Sequence, residues 1–298
     1  MIDVKIPATS ANLGAGFDSL GLCLNLYNYI SLEQSDTIDI TSEDDFLIPK
    51  DKTNLVYQSV KRLYDICGKT LYGLKLVQKS NIPLTRGLGS SSACIVGGLI
   101  GANEMLGNPF LVDDLVNIAS SIEGHPDNTT PALIGGIVTS VLENDKVFWV
   151  KQKVENSLRF VAVIPDFQLK TEEMRECLPK RIDHTDARFN LSRAALFSAS
   201  LLQGKYENLK IAVEDKLHQP YRLPLIKNAD DVFNTAYQNG AYAVFLSGAG
   251  PTMISIINEY NTDFILKMRK KLNLIGLNAW QVVDLYIDNE GAKITKIS

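Results

Sequence analysis

This chain has little excess charge of either sign and no long apolar run. Its 30 Lys and Arg residues stand against 34 Asp and Glu, for a net charge of −4. That balance excludes the basic footprint by which proteins grip nucleic acid. An anionic substrate must then be met by local cations and backbone amides rather than by a global field. No apolar segment approaches the roughly 20 residues needed to cross a bilayer. Residues 1–5 also lack the pattern of a secretory leader. Cysteine is scarce. The four present, Cys23, Cys67, Cys94 and Cys177, match no metal-ligand spacing and suit a reducing cytosol, where free cysteine is usually a small core residue. Repeats, low-complexity tracts and long linkers are missing as well. What remains is 45% hydrophobic and 21% charged over 298 residues. That suits a soluble, cytoplasmic protein of one large domain or two closely packed ones.

Periodicity divides the chain into elements. Residues 4–6, 20–26, 29–33 and 37–41 read as strands, 54–64 as a helix, and 74–77 as a strand. Residues 94–106 are apolar nearly all round, which predicts a buried helix. A second helix covers 112–122, and 135–141 with 147–150 predict a hairpin across Glu143-Asn144-Asp145. A new organisation begins near residue 157. Strands at 158–165, 241–246, 252–257 and 279–285 alternate with helices at 191–203, 229–239 and 263–272, and 292–297 closes the chain as a strand. The β-α-β-β-α-β order predicts a ferredoxin-like layer.

The most informative segment is Pro83-Leu84-Thr85-Arg86-Gly87-Leu88-Gly89-Ser90-Ser91-Ser92-Ala93. It sits between a strand and the buried helix. Glycines permit a tight turn, and the first amides of a helix have no intrahelical acceptor. With the helix dipole they form a seat for phosphate. Serine hydroxyls add donors and oxygen ligands for Mg²⁺. Spacing excludes three competitors. No Lys-Ser/Thr pair follows Gly89, position 92 is not glycine, and Gly-x-Ser-x-Gly is absent. On its own the segment is also compatible with an empty serine-rich helix cap.

Three further clusters are individually ambiguous. Glu123-Gly124-His125-Pro126-Asp127-Asn128 follows a helix and reads either as an ordinary exit loop or as a group that holds an amine, a hydroxyl or a metal. Thr9-Ser10-Ala11-Asn12-Leu13-Gly14-Ala15-Gly16-Phe17-Asp18 reads as a glycine turn. Ser247-Gly248-Ala249-Gly250-Pro251-Thr252 reads as a hairpin turn.

Together and in this order, the four segments resemble the GHMP kinases, the family of galactokinase, homoserine kinase, mevalonate kinase and phosphomevalonate kinase. The Gly-Leu-Gly-Ser-Ser-Ser-Ala run matches that family's ATP loop, and 247–252 matches its third motif. The N-terminal turn and the His-Pro-Asp-Asn run resemble the homoserine-phosphorylating branch, as does Lys170-Thr171-Glu172-Glu173-Met174-Arg175-Glu176-Cys177-Leu178-Pro179.

The resemblance implies an α+β, two-domain fold. An N-terminal ribosomal-protein-S5-domain-2-like domain with a left-handed βαβ crossover would cover 1–155. A C-terminal ferredoxin-like domain would cover 156–298, with substrates meeting in the cleft between them. It implies ATP-dependent phosphorylation of the side-chain hydroxyl of L-homoserine, with Mg²⁺, toward threonine; a homodimer is compatible with it. ATP would be held by Pro83, Leu84, Thr85, Arg86, Gly87, Leu88, Gly89, Ser90, Ser91, Ser92, Ala93 and Cys94. Ser247, Gly248 and Gly250 would lie close by. Homoserine would be contacted by Asn12, Asp18, His125, Asp127, Asn128, Arg175 and Arg222.

Catalytic work would fall to Asp127, Asn128 and Arg222, and whether a general base is used stays open. A zwitterion suits this set, since its ammonium wants carboxylates and its carboxylate wants guanidinium forks. Two positions depart from the family. Ala15 replaces the usual proline. Asn117 stands, without gaps, where longer members carry a Mg²⁺-binding glutamate. Glu123 is the substitute candidate, beside Ser91 or Ser92. A kinase for another small alcohol, such as mevalonate, and a non-catalytic binding protein of the same fold are the rival readings.

Overall fold

A computed structural model describes residues 1–44, 47–154 and 157–297. The boundary expected at 155/156 lies outside the described residues. In the first layer the elements run β1 (Ile2–Ala11), β2 (Leu20–Ser35), β3 (Ile38–Ser42), α1 (Leu55–Ile66), β4 (Gly73–Lys79), α2 (Ser90–Met105), α3 (Val112–Glu123), α4 (Pro126–Ile134), β5 (Ile137–Glu143) and β6 (Lys146–Gln152). The second layer adds β7 (Leu158–Ile164), α5 (Thr171–Glu176), α6 (His184–Leu202), the single turns α7 (Leu209–Ala212) and α8 (Gln219–Arg222), and α9 (Ala229–Gln238). It continues with β8 (Ala243–Leu246), β9 (Met253–Asn258), α10 (Phe264–Leu274) and β10 (Gln281–Leu285), and β11 (Lys293–Ile297) ends the chain.

The first sheet is ordered β11-β1-β2-β4-β3, with β5 on β2 and β6 on β5. All its pairs are antiparallel except β3 with β4, which flank α1 as a parallel crossover. The second sheet is ordered β10-β7-β9-β8 with every pair antiparallel, the ferredoxin-like arrangement expected from the element order. β11 does not stay with it. The segment drawn as 156–298 crosses back at its end, and Ile2 and Val4 pair with Ile297 and Ile294.

Several expected boundaries shift for physical reasons. β1 extends through the turn-rich residues to Ala11, because Pro7 is accommodated at a register shift against β2. The 20–26 and 29–33 strands are one long β2. The segment after His125, one of whose two readings was a loop, is helix α4. Pro126 occupies its first turn, where a missing N–H costs nothing. Helix α6 begins seven residues before the expected 191.

The hairpin forms as expected. Asn144 and Asp145 both take positive φ, +50° and +61°, which matches the twist of a two-residue turn. Helix α2 is buried on almost every side, since its small residues let β1, β2 and α1 close on it. A Cβ at Gly98 would stand 2.8 Å from the Val56 carbonyl.

Candidate active site

The phosphate loop is shaped from behind by three other segments. Gly87 (φ +78°) and Gly89 (φ +70°) adopt left-handed backbone. A Cβ on Gly87 would lie 2.3 Å from the Ser247 carbonyl, and one on Gly89 2.0 Å from Thr9 Oγ1. Only glycine fits either place. The Ser247 hydroxyl is 2.6 Å from the Gly87 carbonyl and 2.8 Å from Ser10 Oγ, and Gly248 N–H donates to the Ala11 carbonyl. The third glycine motif is thus the buttress of the loop. Thr9 N–H donates to Leu88, while its hydroxyl donates to Asn128 Oδ1 at 2.8 Å.

The loop and the other segments enclose a cavity of about 330 Å³. Leu84, Thr85, Arg86, Gly87, Gly89, Ser90, Ser91, Ser92 and Cys94 line it. Leu88 and Ala93 point into the core, so they supply backbone only, and Pro83 stands outside the lining. The Arg86 guanidinium is spent on the carbonyls of Leu84, Pro165 and Asp166, tying the loop to the end of β7.

Across the cavity mouth, Glu123 accepts from both serine hydroxyls, Ser92 Oγ at 2.9 Å and Ser91 Oγ at 3.2 Å. Asn117 faces elsewhere, where it accepts from Val147 N–H at 2.8 Å and secures β6 to α3. Asn117 therefore does not face the loop, whereas Glu123, nearly two turns further along α3, does. Among the described residues no cluster of three or more His, Cys, Asp or Glu side chains is suited to a metal. One carboxylate beside two hydroxyls is an all-oxygen, sparse donor set. Such a set fits Mg²⁺, which keeps its waters and shares phosphate oxygens rather than entering a protein cage.

The opposite wall is ionic. Arg175, on α5, forks onto Asp18 with Nη2–Oδ1 at 2.8 Å and Nη1–Oδ2 at 3.3 Å. Both are about two-fifths exposed, 39% and 37%. Burial lowers the Arg175 pKa, but the Asp18 hydrogen bond and the charges of Asp18, Asp127 and Glu123 outweigh it and hold the pKa above its ordinary value. His125 Nδ1 lies 2.6 Å from Asp127 Oδ1, a carboxylate that is itself buried. Burial works against the imidazolium, yet the hydrogen bond and charge of Asp127, with Glu123 nearby, raise the His125 pKa overall. The second Asp127 oxygen has no hydrogen bond among the described residues and remains available to a ligand.

Asn12 and Arg222 are placed differently from the other expected contacts. Asn12 donates to the Gly248 carbonyl at 2.9 Å and accepts from Asp18 N–H at 3.0 Å, so both ends of its amide are engaged. Arg222 is 1% exposed yet borders the cavity. Its Nε donates to Met174, and its Nη1 reaches Gly248 and His218 Nδ1. Burial, then repulsion from Arg175, lowers its pKa.

Sequence reasoning missed Phe17, Asp215 and His218 as parts of this wall. Phe17 lies beneath both guanidinia and stacks on His218 with ring centroids 5.3 Å apart. Ala15 also needs no proline here, because Asn190 Nδ2 reaches its carbonyl at 3.3 Å.

Comparison with known proteins matches residues 54–136 to the GHMP kinase N-terminal domain and 197–273 to the GHMP kinase C-terminal domain. A homoserine kinase of Clostridium beijerinckii is 45% identical over 296 residues, 99% of this chain and 98% of its own. The chain belongs to the GHMP kinase family. A homoserine kinase of Caldicellulosiruptor saccharolyticus is 46% identical over 300 residues, covering 100% of this GHMP kinase and 97% of its own length. The crystal structure of homoserine kinase from Cytophaga hutchinsonii superposes with a TM-score of 0.89 at 30% identity, over 98% of this chain and 96% of that one. Methanococcus jannaschii mevalonate kinase, at 15% identity and a TM-score of 0.71 over 96% of this chain and 98% of its own, shares the fold. No helix among the described residues of this GHMP kinase is long and apolar enough to cross a membrane.

Proposed function

We propose that this chain is an ATP- and Mg²⁺-dependent homoserine kinase of the cytoplasm, passing the γ-phosphoryl group of ATP to the side-chain hydroxyl of L-homoserine and yielding O-phospho-L-homoserine for threonine synthesis. The observation that carries it is one shared cavity. A glycine-serine phosphate loop forms one wall, and the Asp18–Arg175 pair with Asp127 forms the other. The full-length relatives are named for this one activity.

Phosphoryl transfer asks the protein mainly to hold hydroxyl and phosphate in line and to stabilise charge on the phosphoryl oxygens. The amides opening α2 supply that stabilisation. Mg²⁺, when bound, neutralises phosphate charge, and Glu123, Ser91 and Ser92 are the residues that would hold it. Homoserine's ammonium exchanges for the Arg175 fork at Asp18, with the free Asp127 oxygen as a second acceptor, and its carboxylate takes the released fork.

Arg222 and Asn128 both line the cavity, and we place them at its reacting end. Asn128 is held there by Thr9. A hydroxyl so positioned meets the phosphorus with Asp127 and Asn128 as its nearest polar partners. Domains of 1–155 and 156–298 remain our division of the chain, with β11 as a return strand.

ADP release is measured with homoserine, mevalonate or no acceptor, with and without Mg²⁺, and the product is identified by ³¹P NMR. Turnover that requires both homoserine and Mg²⁺ is expected. Equal turnover with mevalonate, or ADP release independent of any acceptor, overturns the assignment.

A further inference from the structure

His218 is the most deeply buried ionisable ring in the molecule's charged wall, and nothing in the transfer chemistry uses it. It is 0% exposed. Its Nε2 is 2.8 Å from the Gly14 carbonyl, which can only accept, so Nε2 carries the proton. Nδ1 is then a lone-pair acceptor, and Arg222 Nη1 lies 3.3 Å from it. Phe17 covers the ring face. Asp215 Oδ2 stands 3.5 Å from Nε2, but the Asp215 carboxylate is taken up by the N–H groups of Leu217, His218 and Gln219 and by Asn190.

Among the described residues Arg222 has no carboxylate partner of its own. Its Nε and Nη1 are fixed by two carbonyls and this imidazole, while Nη2 has no hydrogen bond among the described residues, and the residue lines the cavity. A guanidinium buried beside a second arginine needs acceptors on its protein side, or it turns to find them.

We propose that His218 is a positioning residue. As the neutral Nε2–H tautomer it accepts from Arg222 and holds that guanidinium with its free edge toward the acceptor site. It also clamps the Gly14 turn that carries Phe17 and Asp18. An imidazolium would set an Nδ1–H against Arg222 Nη1–H and break the arrangement. Burial favours the neutral ring, and Arg222 favours it further. Asp215, the Gly14 carbonyl and Asp18 act in the other direction, and the net pKa is lowered. The kinetic consequence rests on homoserine being the acceptor, whereas the tautomer does not.

Two variants separate the two bonds. The Oδ1 of His218→Asn falls near the position of Nδ1, so it keeps an acceptor for Arg222 and loses the Gly14 bond. The Nε2 of His218→Gln falls near the imidazole Nε2, so it keeps the Gly14 bond and loses the acceptor. H218Q is expected to raise the homoserine KM about tenfold or more, with the ATP KM within about twofold of the parent. H218N is expected to lower the Tm, with a homoserine KM within about threefold of the parent. A homoserine KM that tracks Tm alike in both variants, or that rises together with the ATP KM, overturns the role.

The parent protein supplies a test independent of folding and of substrate. With three histidines in the chain, ¹⁵N NMR assigned through His125 and His184 variants reads each ring. A neutral Nε2–H ring for His218 at pH 7 is expected, and an imidazolium or an Nδ1–H ring overturns the proposal. Absent homoserine turnover in the parent, with the tautomer as stated, would sink the substrate assignment instead.

Discussion

The two walls of the cavity are built by opposite means. The ATP side is built from backbone: two left-handed glycines, the free amides of α2, and serine hydroxyls, with its one arginine spent on carbonyls. The acceptor side is built from side-chain charge already paired off, Asp18 on Arg175 and Asp127 on His125. A backbone seat is rigid and indifferent to what else the ligand carries. A pre-neutralised charge pair is selective. A ligand with only an ammonium strands Arg175 and one with only a carboxylate strands Asp18, so a zwitterion alone replaces both partners. The first wall should therefore fail by steric insult and the second by loss of charge.

Gly87→Ala tests the first wall and should have the largest effect. Its Cβ meets a carbonyl that Ser247 cannot withdraw without breaking the buttress, at a φ of +78°. A loss of about 2–4 kcal/mol is expected in urea denaturation. A sharp rise in the ATP KM should accompany it, with the homoserine KM moving less. Arg175→Ala should come next. The pair is partly solvated, so about 2 kcal/mol, or roughly 30-fold in the homoserine KM, is expected. The ATP KM should stay nearly unchanged. Equal shifts in both constants would erase the distinction between the walls.

How far the site could be read from residues alone follows the same divide. The shape of the glycine-serine loop was legible because backbone requirements leave a local trace: glycines and serines at fixed offsets before an apolar helix. The ferredoxin-like layer was legible for a similar reason, since strand and helix periods are local. The ionic wall could be listed only through family resemblance, because its partners lie 157 residues apart in Asp18 and Arg175.

His218 carried no local signal, as an imidazole between Leu217 and Gln219 has no periodic meaning until Gly14 and Arg222 are brought to it. One missed element did leave a signal. Gly124 at the end of α3, with φ +90°, followed by Pro126, is a helix stop and a helix start two residues apart. The fate of β11 was illegible because pairing with β1 or with β10 satisfies the same alternation.

Along α3, Glu123 and Asn117 give a smaller contrast. Glu123→Gln should raise the Mg²⁺ needed for half-maximal rate by about tenfold, since Glu123 is the carboxylate hydrogen-bonded to the two loop serines. Asn117→Ala should leave that requirement in place and instead lower stability by about 1 kcal/mol, the cost of the hydrogen bond to Val147. The opposite pattern would return the metal to the ungapped position.

The smallest effect belongs to His125. Its pKa is raised in the folded protein by Asp127, against the opposing pull of burial. A raised imidazole stabilises fully below its ordinary value of 6.5, and that contribution is lost as pH rises through the folded-state pKa. Relative to His125→Asn, the parent should therefore lose stability between mildly acidic and mildly alkaline pH, seen as a Tm difference that shrinks with rising pH. A difference that grows with pH would mean that burial, not Asp127, governs the ring. The ionic wall would then contain one pair, not two.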